Sequence, residues 1–155
     1  MQENPSGLGG GGLSADQRRS LRCLAEMIIP ASGEYGVPSA GDAVIFADIL
    51  RSLGRDAEHV VAVLRTLDAL GGGVFADLDA ARRDEVAARL RATGGDPLMY
   101  LTRIVLQCYY RDDRVVRSLG LEPRPPYPKG HVLEDGDWSL LDPVRARDPF
   151  WRPVS

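Results

Sequence analysis

The sequence predicts an all-α fold: a compact body of five or six helices, followed by a long irregular C-terminal arm rich in proline and aromatic residues. Three observations lead there. Apolar residues recur at three- and four-residue spacing in successive segments between Leu13 and Gly120. Helix starts such as Leu13-Ser14 and Asp96-Pro97, and glycine runs such as Gly71-Gly72-Gly73, punctuate those segments. No segment shows the strict alternation of a half-buried strand. With 155 residues, 44% of them hydrophobic, the chain is long enough for one core and too short for two comfortable ones. The expected division is a flexible glycine-rich leader over 1–12, a helical domain over 13–120 and an extended arm over 121–155, packing on the body, on a partner, or on both.

The leader carries Gly7, Gly9, Gly10, Gly11 and Gly12. A phosphate-binding glycine loop must follow a strand and open a helix, and no strand fits before residue 7, so these glycines read as a flexible segment. The first helix starts at Ser14, whose hydroxyl is placed to cap the free N–H groups while Gln17, three residues on, completes a capping box. Leu21, Leu24 and Ile28 form its apolar face, flanked by Cys23 and Met27, with Arg18, Arg22 and Glu26 opposite. Pro30 ends it.

Ala31 to Ser39 reads as a loop through Gly33, Gly36 and Pro38, and Ala43 to Leu53 as a helix carrying Ile45, Phe46, Ile49 and Leu53. A third helix runs from about Asp56 to Leu70 with Val60, Val63, Leu64, Leu67 and Leu70 on one broad apolar face, terminated by Gly71-Gly72-Gly73. Asp79 to Ala92 alternates charged residues with Ala81, Val86 and Leu90, which makes a charged surface helix up to Gly94-Gly95. Asp96 is expected to cap the next helix with Pro97 in its first position. Leu98, Leu101, Ile104, Val105 and Cys108 give that helix a face central to the core. Asp112 or Asp113 starts a last short helix through Val115, Val116 and Leu119, stopped by Gly120.

Seven of the eleven prolines and four of the ten aromatics (Tyr127, Trp138, Phe150 and Trp151) fall at or after Pro123. Disordered tails are poor in large aromatics because such side chains gain by leaving water, so this arm has a destination. Arg124-Pro125-Pro126-Tyr127-Pro128-Lys129-Gly130 should run extended, a preorganised strip suited to a groove. A short helical turn from Trp138 to Arg145, initiated after Asp137 and broken by Pro143, is expected. Packing of Trp138 and Leu140-Leu141 onto the chain's own helices is an equal alternative to a partner contact.

The net charge of −3, with basic and acidic residues interleaved as in Arg111-Asp112-Asp113-Arg114, leaves no stripe for a phosphate backbone and argues against nucleic acid as a ligand. No run of 18 apolar residues exists to cross a membrane as a helix. The twin arginine Arg18-Arg19 is followed by Arg22 and a short apolar stretch interrupted by Glu26. An export signal needs a longer uncharged stretch and a small-residue cleavage site, so the pair reads as the solvated face of a helix and a cytoplasmic chain is expected. Cys23 and Cys108 lack CxxC spacing, permit at most one disulfide, and read as buried thiols. His59 and His131 have no partner at metal-ligand spacing, His59 reading as a solvated residue near a helix start. No GxSxG elbow occurs, and caps and charged faces explain nearly all the carboxylates. No catalytic, metal or cofactor site is expected in this chain, and a binding role follows.

Taken together and in order, Leu13 to Arg19, Leu24 to Ala31, Gly41 to Leu50, Tyr109-Tyr110-Arg111-Asp112-Asp113 and Leu119 to Gly130 make the chain resemble the gluconate 2-dehydrogenase subunit 3 family over roughly residues 13 to 130. That family comprises the small or gamma subunits of flavin-dependent sugar and polyol dehydrogenases. The resemblance implies a non-catalytic partner of a large FAD-binding oxidoreductase of the glucose-methanol-choline (GMC) type, needed for its folding, stability or export, with the FAD in the other chain and a cytochrome as a possible electron acceptor. Small subunits of the family commonly carry a twin-arginine signal, which makes the periplasm the family-based alternative location. The partner-contact candidates are Tyr109, Tyr110, Arg124, Pro125, Pro126, Tyr127, Pro128 and Gly130, with Trp138 and Trp151. Burial within the chain is the competing expectation for Tyr109 and Tyr110. An independent helical adaptor using its Pro-rich arm, and a small enzyme with an unrecognised site, are the readings from other classes.

Overall fold

A computed structural model describes residues 12–124 and 135–148. They divide into two units, one reaching to Pro123 and the other beginning at Arg124. The first is an all-α body of six helices: α1 (Ala15–Ile28), α2 (Ala43–Ser52), α3 (Ala57–Gly71), α4 (Ala80–Thr93), α5 (Asp96–Tyr109) and α6 (Asp113–Ser118). No helix among the described residues is long and apolar enough to cross a membrane.

The spine is α3, which buries Val60, Val63, Leu64 and Leu67 between α5 and α4. From the other side come Leu101, Ile104, Val105 and Cys108 of α5, and Val86, Ala87 and Leu90 of α4. On the far flank of α5, α2 inserts Ile45 and Ile49. Each such aliphatic side chain stabilises the body by about 1.5–3 kcal/mol when taken fully out of water, which outweighs the modest propensities of the individual helices. In α4 the inward set is Val86, Ala87 and Leu90, whereas Ala81 faces solvent.

The local signals act where the sequence puts them, with two exceptions. Ser14 accepts from the Gln17 backbone N–H at 3.2 Å while the Gln17 side chain accepts from Ser14 N–H at 2.9 Å, a complete capping box. Asp42, Asp79 and Asp112 cap α2, α4 and α6 through their carboxylates. Gly72 closes α3 in the left-handed conformation, φ 77°, where a side chain would strain the backbone.

The first exception is Asp96, which does not cap α5. Gly95 holds the cap position with φ 98°, a conformation open to glycine, so the helix starts one residue earlier and Asp96 lies inside its first turn. There its charge still complements the positive end of the helix. The second exception lies in the C-terminal unit, where a 3₁₀ turn (Trp138–Leu141), capped by Asp137, runs into α7 (Asp142–Arg145). Pro143 does not break this turn but sits at the start of α7, where its missing N–H has no intrahelical partner to lose.

A 3₁₀ turn at Phe75–Asp77 links α3 to α4 and fills the end of the core with Phe75, fully buried and with its N–H donated to Asp68 at 2.9 Å. Ser20, 1% exposed on α1, accepts from Ala76 N–H at 3.3 Å. Arg19 bridges Asp16 at 2.7 Å and Asp77 at 2.6 Å, and Arg18 donates to the Leu13 carbonyl. The twin arginine is thus built into the α1 surface, followed directly by the buried Ser20 and Leu21. His59 is not simply solvated: it stacks on Tyr100 at 4.4 Å, and Arg103 lies 5.0 Å over the same ring while pairing with Asp56 at 2.6 Å. Both thiols are free, Cys108 buried and Cys23 half-buried under Arg83. Burial pushes the Cys108 thiol above its ordinary pKa.

Candidate functional site

The segment between α1 and α2 is ordered by its own hydrogen bonds. Ser32 and Val37 exchange two backbone bonds of 3.0 Å, and Ala40 N–H donates to Ile29 at 2.9 Å. At the tip of this turn stands Tyr35, 67% exposed, its N–H donated to the Ser32 hydroxyl oxygen at 3.3 Å. An exposed ring on a hydrogen-bonded turn presents apolar area at low entropic cost.

The end of α5 forms the facing wall. Tyr109 follows Val105 and Cys108 on the inner face, is 4% exposed, and donates its hydroxyl proton to the Pro38 carbonyl at 3.2 Å. Burial foremost, and the nearby Tyr110 and Asp112, raise the pKa of its phenol, so it remains a donor. Tyr110, one residue on, occupies the cap of the helix and points out, 54% exposed, edge-on to Tyr109 with ring centroids 5.4 Å apart. From α6, Val115 and Ser118 line the floor and Leu119, 56% exposed, forms the last rim.

These residues, with Ile29, Pro30 and Val37, enclose a groove of about 290 Å³. Among the described residues, its lining holds no carboxylate, imidazole, thiol, ammonium or guanidinium group. The arrangement offers two exposed aromatic rings, Tyr35 and Tyr110, over the buried Tyr109, with aliphatic walls that suit an apolar or proline-containing segment. Among the described residues, no group of three or more metal-ligating side chains is gathered in one place.

Charged clasps hold the groove's α5–α6 wall in place. Arg111 forks onto Asp48 of α2 at 2.6 and 3.0 Å and also reaches Ser52. Arg114 joins Asp42 at 2.7 Å to Asp112 at 3.0 Å. Hydrogen bonds from Arg114 hold both Asp42 and Asp112 below the usual carboxylate range. For Asp48, burial acts upward but is outweighed by Arg111 and Arg51, and the net direction is down. The turn Arg111-Asp112 is therefore tied to α2 at two places, which fixes where Tyr110 and Leu119 stand.

Of the sequence-derived contact candidates, Tyr109 and Tyr110 meet in this groove, one as floor and one as rim. Arg124 begins the C-terminal unit, and Trp138 opens the 3₁₀ turn of that unit. Pro125, Pro126, Tyr127, Pro128, Gly130 and Trp151 lie outside the described residues, as do His131 and the glycines of the leader before Gly12. Sequence reasoning missed Tyr35 and the outward side of Leu119. The available signal was an aromatic ring set between Gly33 and Gly36, in a loop that otherwise needs none. Compared with known proteins, the chain matches no family model, no curated protein and no solved structure.

Proposed function

We propose that this chain is a non-catalytic small accessory subunit that stabilises, or assists the maturation of, a large FAD-dependent dehydrogenase of the GMC type acting on a sugar, glycoside or polyol. The observation that carries this reading is the aromatic groove between Tyr35, Tyr110 and Leu119. It is apolar, built on a braced scaffold and without catalytic groups, as expected of a surface made to be covered by a permanent partner. The resemblance to gluconate 2-dehydrogenase subunit 3 supports it from a second direction. Three of the stretches that carry that resemblance, Leu24 to Ala31, Tyr109 to Asp113 and Leu119 onward, supply Ile29, Pro30, Tyr109, Tyr110 and Leu119 to the groove.

In this reading the FAD and the substrate site belong to the large subunit, and a cytochrome is a candidate acceptor for its electrons. A cytoplasmic complex fits an Arg18-Arg19 pair engaged in the α1 surface. The test is to express the chain with and without a GMC-type flavoprotein of its organism and compare soluble flavoprotein, co-purification and dye-linked dehydrogenase activity. Co-purification with activity that depends on the chain is the expected result; a soluble chain that neither binds nor affects the flavoprotein would refute it.

The division of the chain at Pro123 favours one second reading, an independent adaptor whose Pro-rich arm recognises another protein. Removing residues 124–155 would then abolish partner binding and leave the helical body folded. In the accessory-subunit reading the groove residues still contribute after that truncation.

A further inference from the structure

A second apolar depression, lined by residues other than those of the tyrosine groove, lies among α1, α4 and α5 and measures about 450 Å³. Its floor is Leu24 and Leu90, with Met27, Ile28 and Leu98 on the walls. Through Leu98 and Thr102 it continues into a shallower depression of about 540 Å³, beside which Met99 (57% exposed) and Leu106 (39% exposed) stand in solvent. Two charged residues of α4 border the first depression, Asp84 and Arg91. Both are exposed, and among the described residues neither side chain has an ion-pair or hydrogen-bond partner, in contrast to Arg82 with Glu85 and Arg83 with Cys23 on the same helix.

A cover that reaches Asp84 and Arg91 gains by setting a cation against the first and an anion against the second. Seven residues of α-helix separate them by about 10 Å along the axis. They lie equally far from the midpoint between Ala87 and Ala88, so a second α4 turned end for end about that midpoint brings Arg91 to Asp84 and Asp84 to Arg91. The small side chains at the crossing let two helices approach at the usual 8–10 Å. A parallel arrangement in register sets like charges together. Reversed, no like charges come level along the helix: Arg82 lies level with Thr93 and Arg89 with the buried Val86, both on the side of α4 away from Asp84 and Arg91.

We propose that the surface formed by α1, α4 and α5 is covered by the same surface of a second copy of this chain, paired two-fold through antiparallel α4 helices with reciprocal Asp84–Arg91 ion pairs. The pairing is isologous, so each contact occurs twice. Met27 and Met99, flexible and partly exposed, fill the space between the two apolar depressions. This inference stands apart from the accessory-subunit reading and gives that subunit two free tyrosine grooves per dimer.

The test is sedimentation velocity of the full chain over a range of concentrations, with Asp84→Arg, Arg91→Asp and the double variant, folding being checked by far-UV circular dichroism. The wild type is expected to dimerise. Each single reversal replaces two attractions by two repulsions and is expected to weaken the dimer by about tenfold or more, an effect that shrinks in high salt. The double variant restores the dimer, and so does an equimolar mixture of the two single variants, because each then supplies the charge the other lacks. A monomeric wild type would overturn the proposal. A dimer indifferent to the reversals, or one that neither the double variant nor the mixture restores, would overturn the antiparallel pairing.

Discussion

Tyr109 and Pro38, 71 positions apart in sequence, are joined by a 3.2 Å hydrogen bond from the phenol to the prolyl carbonyl. The bond fixes the α1–α2 segment to the end of α5 and so sets the width of the groove between Tyr35 and Tyr110.

Tyr109→Phe keeps the ring and removes the donor. The expected cost is about 1 kcal/mol, read as a lower denaturation midpoint. Proteolysis within residues 31–39 should quicken more than elsewhere, because the loss falls on that segment's anchor. Uniform protease sensitivity across the chain would argue against this anchoring role.

The aspartates at the clasps tie stability to pH. Asp42, Asp48 and Asp112 have pKa values below the 3.8 of an unconstrained carboxyl. Their contribution is therefore fully present above pH 3.8, where both folded and unfolded chains are ionised, and is lost as pH falls through the lower folded values. Urea midpoints should be flat near neutrality and drop below about pH 4. Asp42→Asn should flatten part of that drop, at a cost near neutrality of about 1 kcal/mol, since Arg114 is partly exposed.

Phe75 is the largest fully buried side chain of the body. Phe75→Ala should cost about 3–5 kcal/mol and lower the thermal midpoint accordingly. Because the Phe75 N–H is held by Asp68, Asp68→Ala should destabilise by a smaller amount, about 1–3 kcal/mol, and the two losses should be less than additive.

The capping box at Ser14 gives a milder effect. Ser14→Ala should destabilise the chain by about 1 kcal/mol, and restoring Asp or Thr at that position should recover most of it. Hydrogen exchange would show the loss in the first turn of α1, ahead of the Leu21–Leu24 region.

What was legible in the sequence was what local chemistry decides. Ser14 with Gln17, the Gly72 terminator and the inward faces of α3 and α5 follow from capping and 3.6-residue periodicity. Asp96 misled because aspartate before proline is a strong start signal, while the left-handed backbone at Gly95 had already begun the helix. Phe75 was not foreseen as core, since a three-residue turn carries no periodicity. The groove is half legible: the Tyr109-Tyr110 pair stands in the sequence, but their division into floor and rim depends on one step of helical register. Tyr35 is brought to them by tertiary packing across more than 70 residues, and Leu119 by the turn from α5 into α6, which no local pattern encodes.

The most direct test of the groove's role is to co-purify the GMC-type flavoprotein with tagged wild-type chain and with Tyr110→Arg, comparing flavoprotein per subunit. Tyr110 is more than half exposed, so the substitution should leave the helical body intact by circular dichroism. Retention by the wild type and a loss of about tenfold or more with the variant is the predicted result. Equal retention by both, or none by the wild type, would contradict a subunit that holds its partner through this groove.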